Sequence, residues 1–255
     1  MSESQSKTSN AHPAQNSSEA PDMRETSVSR DGSRQTSDKR LFMQLLVFTG
    51  CADAEVLIKP LKDSGLETVV YLDANDPRGV GLLFMNEDAS IFTGKVRKLL
   101  NSAPFSSLTL KPELTMLGRT YATGFEQNLE DWILQKPRRN VFDEKSPWAV
   151  WYPLRRKPEF EALSKEEQRP ILMEHAKLGM AYGAAELAHD VRLACHGLDT
   201  HDNEFVIGVL AKELHPISRL IQDMRRTQQT SKYIQSLGPF FVGQAFYRGG
   251  FLNKG

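Results

Sequence analysis

The chain has 255 residues, 40% of them hydrophobic and 25% charged, a balance that suits a globular protein built from two modest cores. Its 32 basic and 32 acidic side chains cancel, which argues against a general nucleic-acid or membrane-surface binder; any anion site must come from local arginine clusters. The two cysteines, Cys51 and Cys195, form neither a CxxC motif nor a zinc-ligand spacing, and read as reduced thiols in a cytoplasmic protein. The N-terminus lacks the apolar stretch of a secretory signal, and no run of about 18 apolar residues suggests a membrane span.

In chain order, residues 1–39 are rich in Ser, Thr, Asn, Gln and charge, and predict a disordered tail. Residues 40–118 form the first half. LFMQLLVF from Leu41 has the length of a strand, and Asp53 opens an amphipathic helix with Gly65 at its end. TVVYLD (68–73) and VGLLFM (80–85) are strands, with turn residues NDPRG between them. A helix from Ile91 to Leu100 and a strand within 106–117 complete the order β-α-β-β-α-β. Residues 119–146 are a linker.

Residues 147–255 repeat that order. WAVWYPL (148–154) is a strand, and Ser164 with Glu167 forms a capping box for a helix that runs toward Ala188. Pro170 inside that helix predicts a kink or a late start. Residues 190–196 and EFVIGVLA (204–211) are strands, His215–Arg226 is a helix with apolar residues at i, i+3, i+4 and i+7, and GPFFVGQAFYR (238–248) is the last strand. The fold class is α+β, with two ferredoxin-like halves packed as a dimeric α/β barrel. The gap between one sheet and its helices could hold a flat apolar ligand.

A few residues could carry chemistry. His175 shares an apolar helix face with Ile171, Leu172, Leu178 and Tyr182, and Gly179 lies one turn further on. A packed core histidine and a metal ligand are both open readings; a neutral imidazole on a buried helix face is how many haem irons are held. Arg138, Arg139, Arg155 and Arg156 flank the strand at 148–154, where guanidinium groups could pair with carboxylates or simply be solvated. Tyr152 sits among Trp148 and Trp151 and could pack or donate an electron. Arg225, Arg226, Thr230 and Ser231 could bind an anion near a helix end or form an ordinary polar surface. The chain has no GxGxxG, GxxxxGK[ST], GxSxG or HExxH motif.

The series W-Y-P-L-R-R, M-E-H-A-K-L-G-x-x-Y, G-L-D-x-x-D-N-E-F, M-R-x-T-x-x-T-S-K-Y and P-F-F-V-G, covering about 136–248, resembles the chlorite dismutase superfamily, and within it the coproheme decarboxylases. The resemblance implies paired ferredoxin-like lobes, usually assembled as a homopentamer, with haem in the C-terminal lobe. It gives His175 the place of the iron ligand and Tyr152 that of a radical-forming tyrosine. Arg138 or Arg139, Arg156, Arg225 and Thr230 take places that bind propionates. A lysine four residues after the tyrosine is expected, and Arg156 stands there. The resemblance implies Fe-coproporphyrin III or haem b as the iron porphyrin, with hydrogen peroxide as co-reactant. The alternatives are a haem b enzyme that degrades chlorite or acts as a peroxidase, and a non-catalytic haem-binding protein. Two departures weaken the chlorite alternative. The family's distal arginine, about 13 residues after the histidine, falls on Ala188, with His189 and Arg192 nearby; and the segment 224–233 lacks the carboxylate that chlorite dismutases place beside the imidazole.

Overall fold

The computed structural model of the protein describes residues 20–251. A hairpin comes first, β1 (Glu25–Val28) paired with β2 (Arg34–Ser37). The polar composition that predicts disorder through residue 39 is overridden here by hydrogen bonds rather than by apolar burial. Ser27 Oγ donates to the Glu126 carbonyl at 2.9 Å, the Gln35 side chain bonds the backbone of Gln127 and Leu129, and Glu25 accepts from Arg119 and from the Ala122 N–H. Residues 1–19 of the expected tail lie outside the described residues.

The first half follows the expected order. β3 (Phe42–Thr49) leads to α1 (Glu55–Ser64), whose first N–H is capped by Asp53 Oδ1 at 2.9 Å and whose C-terminus turns through Gly65 at φ 65°. β4 (Thr68–Asp73) and β5 (Val80–Asn86) follow. The helix expected at 91–100 begins as a wide π turn (Phe92–Val96) and tightens into α2 (Arg97–Leu100). β6 (Thr109–Leu110) and β7 (Met116–Arg119) share the single strand expected within 106–117. The segment read as a linker carries a second π turn (Asp131–Gln135) and α3 (Lys136–Phe142), whose Ile133, Leu134 and Val141 join the main core.

The second half runs β8 (Trp148–Arg156), α4 (Pro158–Glu161), α5 (Lys165–Ala184), β9 (His189–Ala194), β10 (Phe205–Ala211), α6 (Leu214–Met224), α7 (Gln228–Tyr233), β11 (Ile234–Leu237) and β12 (Phe241–Gly249). The Ser164–Glu167 capping box forms in both directions. Pro170 does not break α5: it lies near the N-terminus, where it removes one backbone bond from a helix of 20 residues. Among the described residues no helix is long and apolar enough to cross a membrane.

All the strand pairings are antiparallel. They give the order β7-β3-β5-β4 in the first half and β12-β8-β10-β9 in the second. β4 pairs with β12, and β7 meets β9 at Arg119 and Ala194, so the pairings run in a ring. Alternation along the strands then sorts the side chains. Ala149 and Trp151 of β8 turn inward with Met43, Leu45, Tyr71, Leu83, Leu193 and Phe241 to fill the interior. Val150 and Tyr152 turn outward, toward the helices. On the first half's outer face, Leu57 and Leu61 of α1 and Phe92 and Val96 cover Val70, Leu82 and Phe84 closely.

Trp151 is fully buried, and Gly208 on the neighbouring strand makes room for it: a Cβ there would lie 2.6 Å from the indole ring. Gly208→Ala should therefore destabilise the fold by about 1–3 kcal/mol through overpacking. Urea unfolding checks this, and an unchanged midpoint would contradict the packing described.

Candidate functional site

The second half covers its outer face differently. α6 packs Ile217 and Leu220 against the sheet, but in α5 only Ile171 is fully buried over 20 residues. A helix of that length packed flat on a sheet would bury a continuous stripe. α5 is instead held mainly by its neighbours. Tyr182 Oη donates to Asp223 Oδ2 of α6 at 2.9 Å, and Glu174 Oε2 accepts from the Gln228 N–H of α7 at 2.9 Å. Arg219 also bonds Asp223, and this guanidinium, followed by the Tyr182 hydroxyl, holds the Asp223 carboxyl below its ordinary range.

His175 lies on the inner side of α5. Its Nδ1 is 3.2 Å from Thr227 Oγ1, and among the described residues its Nε2 makes no hydrogen bond. Burial lowers its pKa, and Arg192 adds to that effect, so the imidazole is neutral at neutral pH.

The sheet face turned toward α5 and α6 carries Tyr152. Its ring stacks on Phe240 with centroids 4.7 Å apart, and burial raises the phenol's pKa, so it stays protonated. The strand register places Tyr152, Ile207 and Arg192 in one cross-strand row, with Val150, Val209 and Asp190 in the next. Arg192 Nε is 3.0 Å from Asp190 Oδ2. Of Ala188, His189 and Arg192, Arg192 therefore shares the cross-strand row of Tyr152. Ala188 is buried in the same outer cluster, and His189 pairs with the inward-facing Leu210.

The arginines are distributed less simply. Arg138 is buried and paired with Glu67 at 2.9 Å and Glu87 at 3.5 Å, both in the first half. Arg139 grips Asp131 with two bonds of 2.6 and 2.9 Å. Arg156 is bound by Glu204 and Glu161 and lies over Phe160 and Phe205. Arg225 is exposed and has no ion pair among the described residues, and Thr230 lies 3.4 Å from the Thr227 hydroxyl. The structure thus brings His175, Thr227 and Thr230 together and sets Tyr152 and Arg192 in one cross-strand row, while Arg138 and Arg139 face other partners. Thr227 is the residue that motif reading overlooks. It falls inside M-R-x-T-x-x-T-S-K-Y, but threonine at a helix junction reads as a cap, and only the fold brings it to the imidazole.

Among the described residues no group of three or more His, Cys, Asp or Glu could hold a metal ion, so His175 offers a lone neutral imidazole. One protein ligand is what an iron needs when a porphyrin fills its equatorial positions. The helix behind the imidazole buries only Ile171 among its 20 residues, and Gly179 faces Met224 of α6. The residues present fit an iron porphyrin.

A family model described as chlorite dismutase matches residues 83–246, well over half of the chain. No curated protein matches it. Among solved structures, a novel heme-binding protein from Thermus thermophilus is 15% identical, with 84% of this chain and 93% of that one covered at a TM-score of 0.66. A mutant chlorite dismutase from Candidatus Nitrospira defluvii is 14% identical, covering 81% and 91%, at 0.64. The imidazole complex of the chlorite dismutase from the same organism is 15% identical, covering 81% and 91%, at 0.61. At these identities the likeness shows the fold.

Because the Asp223 carboxyl is depressed in the fold, its tie to α5 is fully present above the unfolded value of about 3.9 and is lost as pH falls through the folded value. Asp223→Ala should lower the hydrogen-exchange protection of α5 amides at neutral pH, and should remove part of the acid-induced loosening that the wild type shows below about pH 4. Equal protection in the two proteins at neutral pH would contradict this tether.

Proposed function

The chain belongs to the chlorite dismutase family, and from that premise we propose that it is a haem-dependent oxidoreductase that binds an iron porphyrin through His175. The reaction we assign is the peroxide-dependent oxidative decarboxylation of Fe-coproporphyrin III to haem b. The observation that carries this reading is the lone, neutral His175 on a loosely packed helix, across from a sheet face that presents a protonated Tyr152. With peroxide as co-reactant, the bound iron porphyrin supplies the oxidising equivalents.

The protein's own part is positioning and proton control. His175 Nε2 would hold the iron of the porphyrin. Tyr152 keeps its proton on Oη and would relay an oxidising equivalent to a propionate, its ring fixed by stacking on Phe240. Each propionate, with one peroxide and one proton, gives a vinyl group, carbon dioxide and two waters. Arg225, free of other carboxylates, and Thr230 hold propionates that do not react. Arg156 would join them by exchanging its acidic partners Glu204 and Glu161. Assembly as a homopentamer and a cytoplasmic setting, with Cys51 and Cys195 as buried free thiols, belong to the same proposal.

A second reading, degradation of chlorite on haem b, draws on one observation. Arg192 stands in the cross-strand row of Tyr152, where a distal arginine would act. Tightly held haem b and oxygen release from chlorite would favour it.

Titration of the purified apoprotein with ferric coproporphyrin, followed by peroxide, tests the proposal by absorbance and mass spectrometry. The expected result is a shifted Soret band and stepwise loss of two carboxyl groups. Binding without a mass change would point to another haem activity, and no binding would remove His175 as a ligand. His175→Ala should weaken porphyrin binding at least tenfold, about 1.4 kcal/mol or more. Tyr152→Phe should bind normally yet fail to decarboxylate, and surviving turnover would rule out the relay through its phenol.

A further inference from the structure

We infer that Thr227 is a positioning residue for His175: its hydroxyl accepts the Nδ1–H and holds the ring in the tautomer that leaves Nε2 unprotonated. The use of that lone pair rests on the proposed porphyrin binding; the tautomer is a property of this chain alone.

The argument starts from the single proton a threonine hydroxyl carries. Thr227 Oγ1 lies 2.8 Å from the Met224 carbonyl, 3.2 Å from His175 Nδ1 and 3.4 Å from Thr230 Oγ1. The carbonyl can only accept, so its short contact takes the Thr227 proton. The oxygen's lone pairs are what remain for the imidazole, and Nδ1 must then be the donor. In its neutral form the ring has one N–H to place. With that proton on Nδ1, Nε2 carries a lone pair, and among the described residues it has no protein partner to satisfy it.

The acceptor is rigidly held. Thr227 is 5% exposed, at the corner between α6 and α7. Its N–H bonds the Met224 carbonyl at 3.1 Å, and its own carbonyl accepts from both the N–H and the hydroxyl of Ser231 at 2.9 Å. The next residue, Gln228, donates its N–H to Glu174, the neighbour of His175 on α5. Two adjacent bonds therefore fix the corner to the helix that carries the imidazole. A hydroxyl acceptor is neutral. Unlike a carboxylate, it orients the ring without drawing the Nδ1 proton away and pushing negative charge onto it.

The test is a long-range proton–nitrogen correlation spectrum of ¹⁵N-labelled, full-length apoprotein, recorded above the pH at which His175 titrates. The expected wild-type result is a protonated Nδ1 and an unprotonated Nε2. Thr227→Val should shift the population toward the Nε2–H tautomer, and Thr227→Ser should restore the wild-type pattern. A wild-type His175 with its proton on Nε2, or a valine variant that keeps the Nδ1–H form, overturns the inference. The wild-type spectrum decides the point even if the valine variant fails to fold. An Nδ1–H tautomer in a protein that binds no porphyrin supports this inference while overturning the porphyrin reading, so the two failures are distinguishable.

Discussion

The ring of antiparallel strands fills its own interior, and the rest of the structure follows from that constraint. Once Trp151, Tyr71, Phe241 and their neighbours occupy the space inside the ring, every outward side chain needs separate cover. The first half solves this with α1 and α2 seated directly on the sheet. The second half has α6 seated in the same way, but α5 leans on α6 and α7 and buries little of its own length. Two outer faces of similar strand order thus differ in how tightly they are closed, and the looser one carries His175.

That difference joins packing to chemistry. The helix is held by its neighbours at Tyr182–Asp223, His175–Thr227 and Glu174–Gln228. The same contacts orient the imidazole. Across the space, alternation along β8 and β9 aims Tyr152 and Arg192 from the sheet while Trp151 and Val191 fill the interior. Burial lowers the imidazole's pKa and raises the phenol's. The site follows from ring closure on one side and helix tethering on the other.

Much of the fold was legible in the sequence because its signals are local. The Ser164–Glu167 capping box, the Gly65 stop after α1 and the period-two pattern of VGLLFM each state their structure within a few residues. What escaped depends on distant partners. The β1–β2 hairpin looks like a polar tail because residues 122–129, about 90 positions away, satisfy its hydrogen bonds. The segment 119–146 reads as a linker because the apolar side of α3 is short, yet it packs into the interior. Motif order singles out His175 and Tyr152. Thr227 was not singled out, since its meaning comes from a contact 52 residues away. Arg138 illustrates the opposite error: a guanidinium close in sequence to the motif strand faces Glu67 instead.

The most direct test of the account is a crystal structure of the full chain with ferric coproporphyrin. The account predicts the porphyrin between α5 and the face of β8, β9 and β10, with iron bonded to His175 Nε2, Nδ1 still on Thr227, and a propionate near Tyr152. A porphyrin bound elsewhere, or an iron held by any other residue, would contradict it.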